Sequence, residues 1–245
     1  RPVQAGPAAE GVDRPDAAAA ELVRARYLVF KDGGKIWGHG IGRKVALTFD
    51  DGPHYQTTPR LLYHLEDYGV KATFFVNSNR FSAGSAMGSK NREVVRETHR
   101  RGHLLGNHTH SHPTLPQLTA EEQTRQISLT DQAIEGFTGA PSLLFRPPYG
   151  AITPHATALL QKRGSTVFMW NIGSDDTTYF NVAKVLSSVM KKLTFFGGGI
   201  VLMHDTQFWT TEAVPPVRSA IRIEGCKQLA AGEEPYEVVG LDYFW

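Results

Sequence analysis

Two adjacent acids, Asp50 and Asp51, close the apolar run "VALTF" and are followed by Gly52-Pro53-His54. Like charges in contact repel, and the repulsion needs a cation, a proton or water to relieve it. Further on, His108 and His112 stand four apart in "HTHSH", and Arg146 opens "RPPYG". Asp175 and Asp176 adjoin in "GSDD", and His204-Asp205 ends "VLMHD". Neutral imidazoles together with carboxylates suit a divalent transition ion such as zinc. Two histidines and one carboxylate leave coordination positions open for water and substrate. One helical turn from His108 to His112 would bring both rings to one face. His110, between them, reads as structural or rim-exposed. Of the paired acids, one can bind the ion while the other stays free to take a proton from a water.

Such groups need a scaffold that gathers them. Short apolar runs alternate with amphipathic ones from Lys44 onward. The strand candidates are "VALTF", "ATFFV", "HLLGN", "SLLF", "STVFMW", "GIVLM" and "YEVVG". Helices are expected over Thr58–Tyr68, Asn91–Arg101, Thr119–Phe137, Pro154–Arg163, Asn181–Lys192 and Thr211–Gln228. In the first of these, Leu61, Leu62, Leu65 and Tyr68 fall at helical spacing. Continuous apolar strands alternating with helices predict a parallel sheet covered by helices, as a barrel or an open doubly wound sheet. Five of the strand candidates deliver polar groups at their C-terminal ends, and in parallel α/β folds those ends share one face. Gly- and Ser-rich Asn79 to Val95 reads as a rim loop or a plain surface connection.

At 245 residues the chain suits one large domain, or at most two. Residues 1–43 read as a leader or linker with a short helix in "ELVRARYLVF", starting near Asp16. Residues 44–245 read as the domain that carries the polar strand ends. A net charge of +2 is too balanced to argue for nucleic acid or an anionic membrane as the main partner. No run of about 18 apolar residues is present to span a membrane. The single cysteine, Cys226, excludes an intrachain disulfide and reads as a small buried hydrophobe. The chain opens at Arg1, which fits removal of an upstream segment.

Taken in order, "TFDDGPH", "HTHSH", "RPPYG", "WNIGSDD" and "VLMHD" resemble the five motifs of the polysaccharide deacetylase family, the NodB-homology domain of carbohydrate esterase family 4. The resemblance runs from about Lys44 to Tyr243. It implies a distorted (β/α) barrel with about seven parallel strands. It also implies Asp50 as catalytic base and a divalent metal, zinc first with cobalt or nickel as alternatives, on Asp51, His108 and His112. Arg146 would hold Asp50, His204 would act as general acid, and Asp176 would orient and charge His204. Tyr149 would give a backbone N–H to the oxyanion, and Leu202 would line the acetyl pocket. Pro147 and Trp209 complete the residues expected to meet substrate.

The fourth motif departs from the family pattern. Gly173 stands where an aspartate is common, and Thr177 where a tryptophan is common. Asp175 therefore remains an alternative partner for His204, and Tyr179, Phe180 or Trp209 could replace the missing pocket wall. The implied reaction is hydrolysis of N-acetyl groups on N-acetylglucosamine-containing glycans, peptidoglycan or chitin-like, by a monomer in an extracellular, periplasmic or cell-envelope location. An O-acetyl (xylan) esterase and an inactive glycan-binding module are the other readings.

Overall fold

The run "KVALTFD" forms strand β3, Lys44–Asp50, and every residue of it after Lys44 is buried. A strand buried on both faces must lie inside a sheet that is itself covered, as the continuous apolar run predicts. The computed structural model describes residues 31–32, 35–82 and 86–244. The expected N-terminal helix lies outside those residues.

The remaining strands are β1 (Lys31–Asp32), β2 (Lys35–Ile36), β4 (Thr73–Val76), β5 (Leu104–Asn107), β6 (Leu144–Phe145), β7 (Thr166–Phe168), β8 (Ile172–Gly173), β9 (Gly199–His204) and β10 (Glu237–Val239). They form one sheet in the order β1-β2-β7-β6-β5-β4-β3-β9-β8, with β10 also on β3. Among the described residues only β1 and β2 pair antiparallel; the other pairings are parallel, and the sheet curls into a half-barrel. Seven of the strands coincide with the seven apolar runs. Strand β8, two residues long, is too short to show a period.

Among the described residues, six α-helices flank the sheet: α1 (Thr57–Asp67), α2 (Ala86–Arg100), α3 (Ala120–Thr138), α4 (Pro154–Lys162), α5 (Val182–Phe196) and α6 (Phe208–Ala230). Their ends follow local chemistry. Thr119 caps α3 by accepting from Glu122 N–H, and Gly139 closes it at φ 80°. Asn181 caps α5, which ends at Gly197 with φ 72°.

Three expectations are corrected. Helix α2 starts at Ala86, so much of Asn79 to Val95 is helical rather than loop. The Asn91 side chain is an anchor inside this helix, donating to Arg80 C=O at 2.8 Å. Helix α6 starts at Phe208, three residues early, which places Trp209 and Thr210 in its first turn. Cys226 is exposed, on the solvent side of α6, whereas neighbouring Gly225 and Gln228 face inward.

The main core joins β3, β4 and β9 to α1, α5 and α6 through Leu47, Phe49, Leu61, Leu65, Phe74, Val189, Val201 and Val217. A second cluster, around Phe75, Phe168 and Ile200, fills the barrel interior beneath the strand ends. Burying side chains of this size is worth about 1.5–3 kcal/mol each, which holds the strand ends in register.

Candidate active site

In-register pairing brings Asp50 opposite His204 across β3 and β9 and beside Phe75 on β4. Asn107, the last residue of β5, pairs with Phe145, which immediately precedes Arg146. The five polar clusters thus share one rim. Five non-glycine residues there have positive φ: Asp51 (71°), Thr109 (69°), His112 (60°), Tyr149 (57°) and Asp175 (57°). That backbone region is sparsely populated and costs about 1–3 kcal/mol per residue, so its repetition at one rim marks a constrained site.

The left-handed residue at Asp51 separates the paired acids. Asp50 ends the strand, while Asp51 turns toward the histidines. The ligand atoms of Asp51, His108 and His112 all lie within 4.8 Å of one another. Asp51 Oδ1 is 3.5 Å from His108 Nε2 and 3.1 Å from His112 Nε2. His108 and His112 do not share a helical turn as their spacing suggests. They sit in a loop bent by Thr109 and His112, with ring centroids 4.9 Å apart. Two asparagines shape that loop. Asn77 Nδ2 donates to the carbonyls of His108 (2.7 Å) and Thr109 (3.2 Å), and Asn107 Oδ1 accepts from Thr109 N–H at 2.8 Å. His110 turns away to Ser78 Oγ at 2.8 Å, in the structural role expected of it.

The trio fits a divalent cation. Asp51 Oδ1 is buried and has no hydrogen-bond partner. His108 Nδ1 lies 2.7 Å from Arg146 C=O, so it carries the proton and leaves Nε2 as a lone pair facing Asp51. Burial, followed by the charge of His108, lowers the pKa of His112 and favours the neutral ring that a metal requires. Burial pushes the Asp51 carboxyl up, but His108, His112 and His204, whenever their rings carry the extra proton, outweigh it and hold the group well below the ordinary carboxylate range, as a cation in their midst would.

Asp50 has different partners. Its Oδ1 accepts from Arg146 Nη1 at 2.8 Å, while Oδ2 lies 3.7 Å from His108 Nε2. Arg146 is completely buried, and every side of its guanidinium is used. Nη1 also donates to Thr48 Oγ1 (2.7 Å), Nε to Phe168 C=O (3.1 Å) and Nη2 to Met169 C=O (3.0 Å). Its carbon lies 4.2 Å from the Phe75 ring centroid. A buried cation so fully satisfied fixes a carboxylate in one orientation.

His204 belongs to Asp176. Its Nδ1 meets Asp176 Oδ1 at 2.7 Å, and its backbone N–H donates to Oδ2, also at 2.7 Å. Thr210 Oγ1 donates to the same Oδ2 at 2.6 Å. Burial opposes a charged imidazole, but the Asp176 hydrogen bond and charge prevail and push His204 up to about 9. Asp175, the alternative partner, is turned away by its positive φ to Lys192 Nζ at 2.7 Å and to Ser188.

The residues expected to meet substrate are placed unevenly. Tyr149 is exposed, with its ring 4.7 Å from that of His112. Leu202 and His204, two apart on β9, are both half-buried on one face, whereas Val201 and Met203 enter the core. Pro147 is buried. Trp209 Nε1 donates to Asp176 C=O at 2.7 Å, and Phe180 packs edge-on against it at 4.9 Å. Thr177 itself is exposed.

Several contributors escaped the sequence reading. Thr48 and Thr210 are hydroxyls within apolar or amphipathic runs, where nothing in the pattern marks them. Asp205, named in the sequence only as part of a polar strand end and given no role there, is fully buried, accepts from Thr58 Oγ1, and is pushed up to about 7 by burial. Its carboxylate lies 2.2 Å from where a Cβ on residue 52 would sit, so only glycine fits in the "DGP" turn.

A family model described as polysaccharide deacetylase matches residues 38–168. The motifs carrying Asp176 and His204 fall beyond that span. The peptidoglycan-N-acetylglucosamine deacetylase PgdA of Listeria monocytogenes is 32% identical over 204 residues, covering 82% of this chain. The chain spans only 41% of that relative's own length. The crystal structure of a peptidoglycan N-acetylglucosamine deacetylase superposes with TM-score 0.74 at 25% identity, covering 89% of this chain and 94% of the other. The chitin deacetylase of Colletotrichum lindemuthianum gives TM-score 0.72 at 26% identity, covering 86% and 91%.

Proposed function

Because the chain belongs to the polysaccharide deacetylase family, we propose that it hydrolyses N-acetyl groups on N-acetylglucosamine-containing glycans outside the cytoplasm, with zinc as its metal. The observation that carries this reading is the division between the paired acids: Asp51 faces two histidines, and Asp50 is held by Arg146. A divalent cation on Asp51, His108 and His112 supplies Lewis-acid polarisation of the acetyl carbonyl and lowers the pKa of water.

The chain's own groups do the rest. Asp50 keeps Oδ2 free of Arg146 and takes a proton from the attacking water through it. The water oxygen bonds to the carbonyl carbon, and the Tyr149 N–H helps hold the developing oxyanion. An amine leaves poorly unless protonated. His204 gives it a proton from Nε2, because Nδ1 is committed to Asp176. The C–N bond breaks, acetate departs and the sugar keeps its amine. Leu202 lines the acetyl side, and Trp209, tied to the Asp176 backbone, is the wall in place of the tryptophan that Thr177 lacks. Tyr149 and buried Pro147 shape the opposite side. The enzyme acts as a monomer on the glycan, with residues 44–245 as its catalytic domain.

Acetate release from N-acetylated oligosaccharides is the direct test. Asp50→Asn is expected to lower turnover by roughly 10²–10⁴-fold while elemental analysis finds the metal retained. Wild-type turnover in that variant would exclude Asp50 as the base.

A further inference from the structure

A cavity of about 350 Å³ adjoins the site at His112, lined by Asn77, Asn79, Arg80, Met87, Asn91, Ser111 and His112. None of its lining residues is acidic. Arg80 is its cation, and its backbone is pinned at both ends. The Arg80 N–H donates to Asn77 C=O at 3.1 Å, and the Arg80 carbonyl accepts from Asn91 Nδ2 at 2.8 Å. The guanidinium, by contrast, has no hydrogen bond or ion pair among the described residues. Asn91 Oδ1, nearly inaccessible in the same wall, also lacks a partner.

The charge of Arg80 reaches the rim of the active site. Burial and then Arg80 lower the pKa of His54, which follows the paired acids. Lys90 adds a second cation on this side, 4.9 Å over the ring of Tyr55. His112 is shared: one side belongs to the Asp51 trio and another lines the cavity. A group bound here would therefore lie one imidazole away from the reacting acetyl. A planar guanidinium with free N–H groups matches a carboxylate in two-point contact, and the asparagine and serine groups beside it suit sugar hydroxyls.

Building on the deacetylase reading, we infer that this cavity is a carboxylate subsite in which Arg80 binds the acidic substituent of the glycan. The preferred substrate is then an N-acetylated glycan carrying carboxylates, rather than a neutral one. The test uses one N-acetylated oligosaccharide with carboxyl-bearing substituents and the same oligosaccharide with those carboxyls reduced to alcohols. Acetate release by wild type is expected to favour the acidic form by about tenfold in kcat/KM, the worth of one charge-assisted contact. Arg80→Ala should erase that preference through KM, and Arg80→Lys should keep part of it.

Calorimetric binding of both oligosaccharides to the Asp50→Asn protein, with and without Arg80→Ala, reads the subsite without turnover. The same tenfold preference, lost with Arg80, is expected there. Equal binding of the two forms, or a preference that survives Arg80→Ala, overturns the subsite. Absence of acetate release from both forms would instead count against the deacetylase reading, and the calorimetry would still decide the subsite.

Discussion

Replacing Asp176 by Asn removes the negative charge that keeps His204 protonated while leaving a side chain of similar shape. In the native protein His204 is pushed up to about 9. At pH 8 about nine-tenths of a group with that pKa is protonated. Without the Asp176 hydrogen bond and charge, burial is opposed only by the smaller pull of Asp50 and Asp51, and the ring falls toward its ordinary value near 6.5. About one molecule in thirty then carries the proton at pH 8. A general acid works only when protonated, so the alkaline limb of kcat/KM should move down toward neutrality. Acetate release should fall about thirtyfold relative to wild type at pH 8 but less than about twofold at pH 6 from this cause. These two figures belong to the unshifted His204 values; a bound cation lowers both values and slides the two alkaline limbs to lower pH together, with the variant's staying below that of wild type. Any loosening of the ring adds a constant factor at every pH. Alkaline limbs of kcat/KM that coincide in the variant and the wild type would refute the assignment of Asp176 as the group that charges the acid.

Two further outcomes are expected. His112→Ala should lose stoichiometric metal by elemental analysis after dialysis, whereas His110→Ala, whose ring faces Ser78, should keep it; full metal content in the first variant would mean that the ligands lie elsewhere. Gly106→Ala would place a Cβ 2.4 Å from the Phe75 ring, and that ring supports Arg146. A loss of about 1–3 kcal/mol in urea denaturation is expected from overpacking, with reduced turnover as Arg146 shifts; unchanged stability would show that Phe75 has room to yield.

Much of the scaffold was legible because parallel strands buried on both faces carry uninterrupted apolar runs, as in Val45–Phe49 and Gly199–Met203. The polar groups after those runs were legible too, since a shared strand direction puts them on one rim. Backbone turns were not. Spacing placed His108 and His112 on a helix, but positive φ at Thr109 and His112 makes a loop that achieves the same convergence. Spacing could not choose between Asp175 and Asp176 either, because adjacent residues are equivalent until a turn separates them. The left-handed conformation at Asp175 makes that choice and sends it to Lys192. The start of α2 at Ala86 was hidden because Gly88 and the serines around it read as loop composition.

Arg146 serves two clients with different parts of itself. Its side chain fixes Asp50, and its carbonyl fixes the ring of His108. The proposed proton acceptor and a proposed ligand for the ion are thereby measured from one residue, as two instruments are aligned to a single bench mark. A thermal displacement of this corner of the barrel carries both together and leaves the separation between them unchanged. The alignment between the two is thus less exposed to motions of the surrounding loops than if each were anchored on a separate element. The vulnerability is correspondingly concentrated: a change that tilts the peptide after Arg146 while sparing its guanidinium would separate ion from base although every expected residue remained in place.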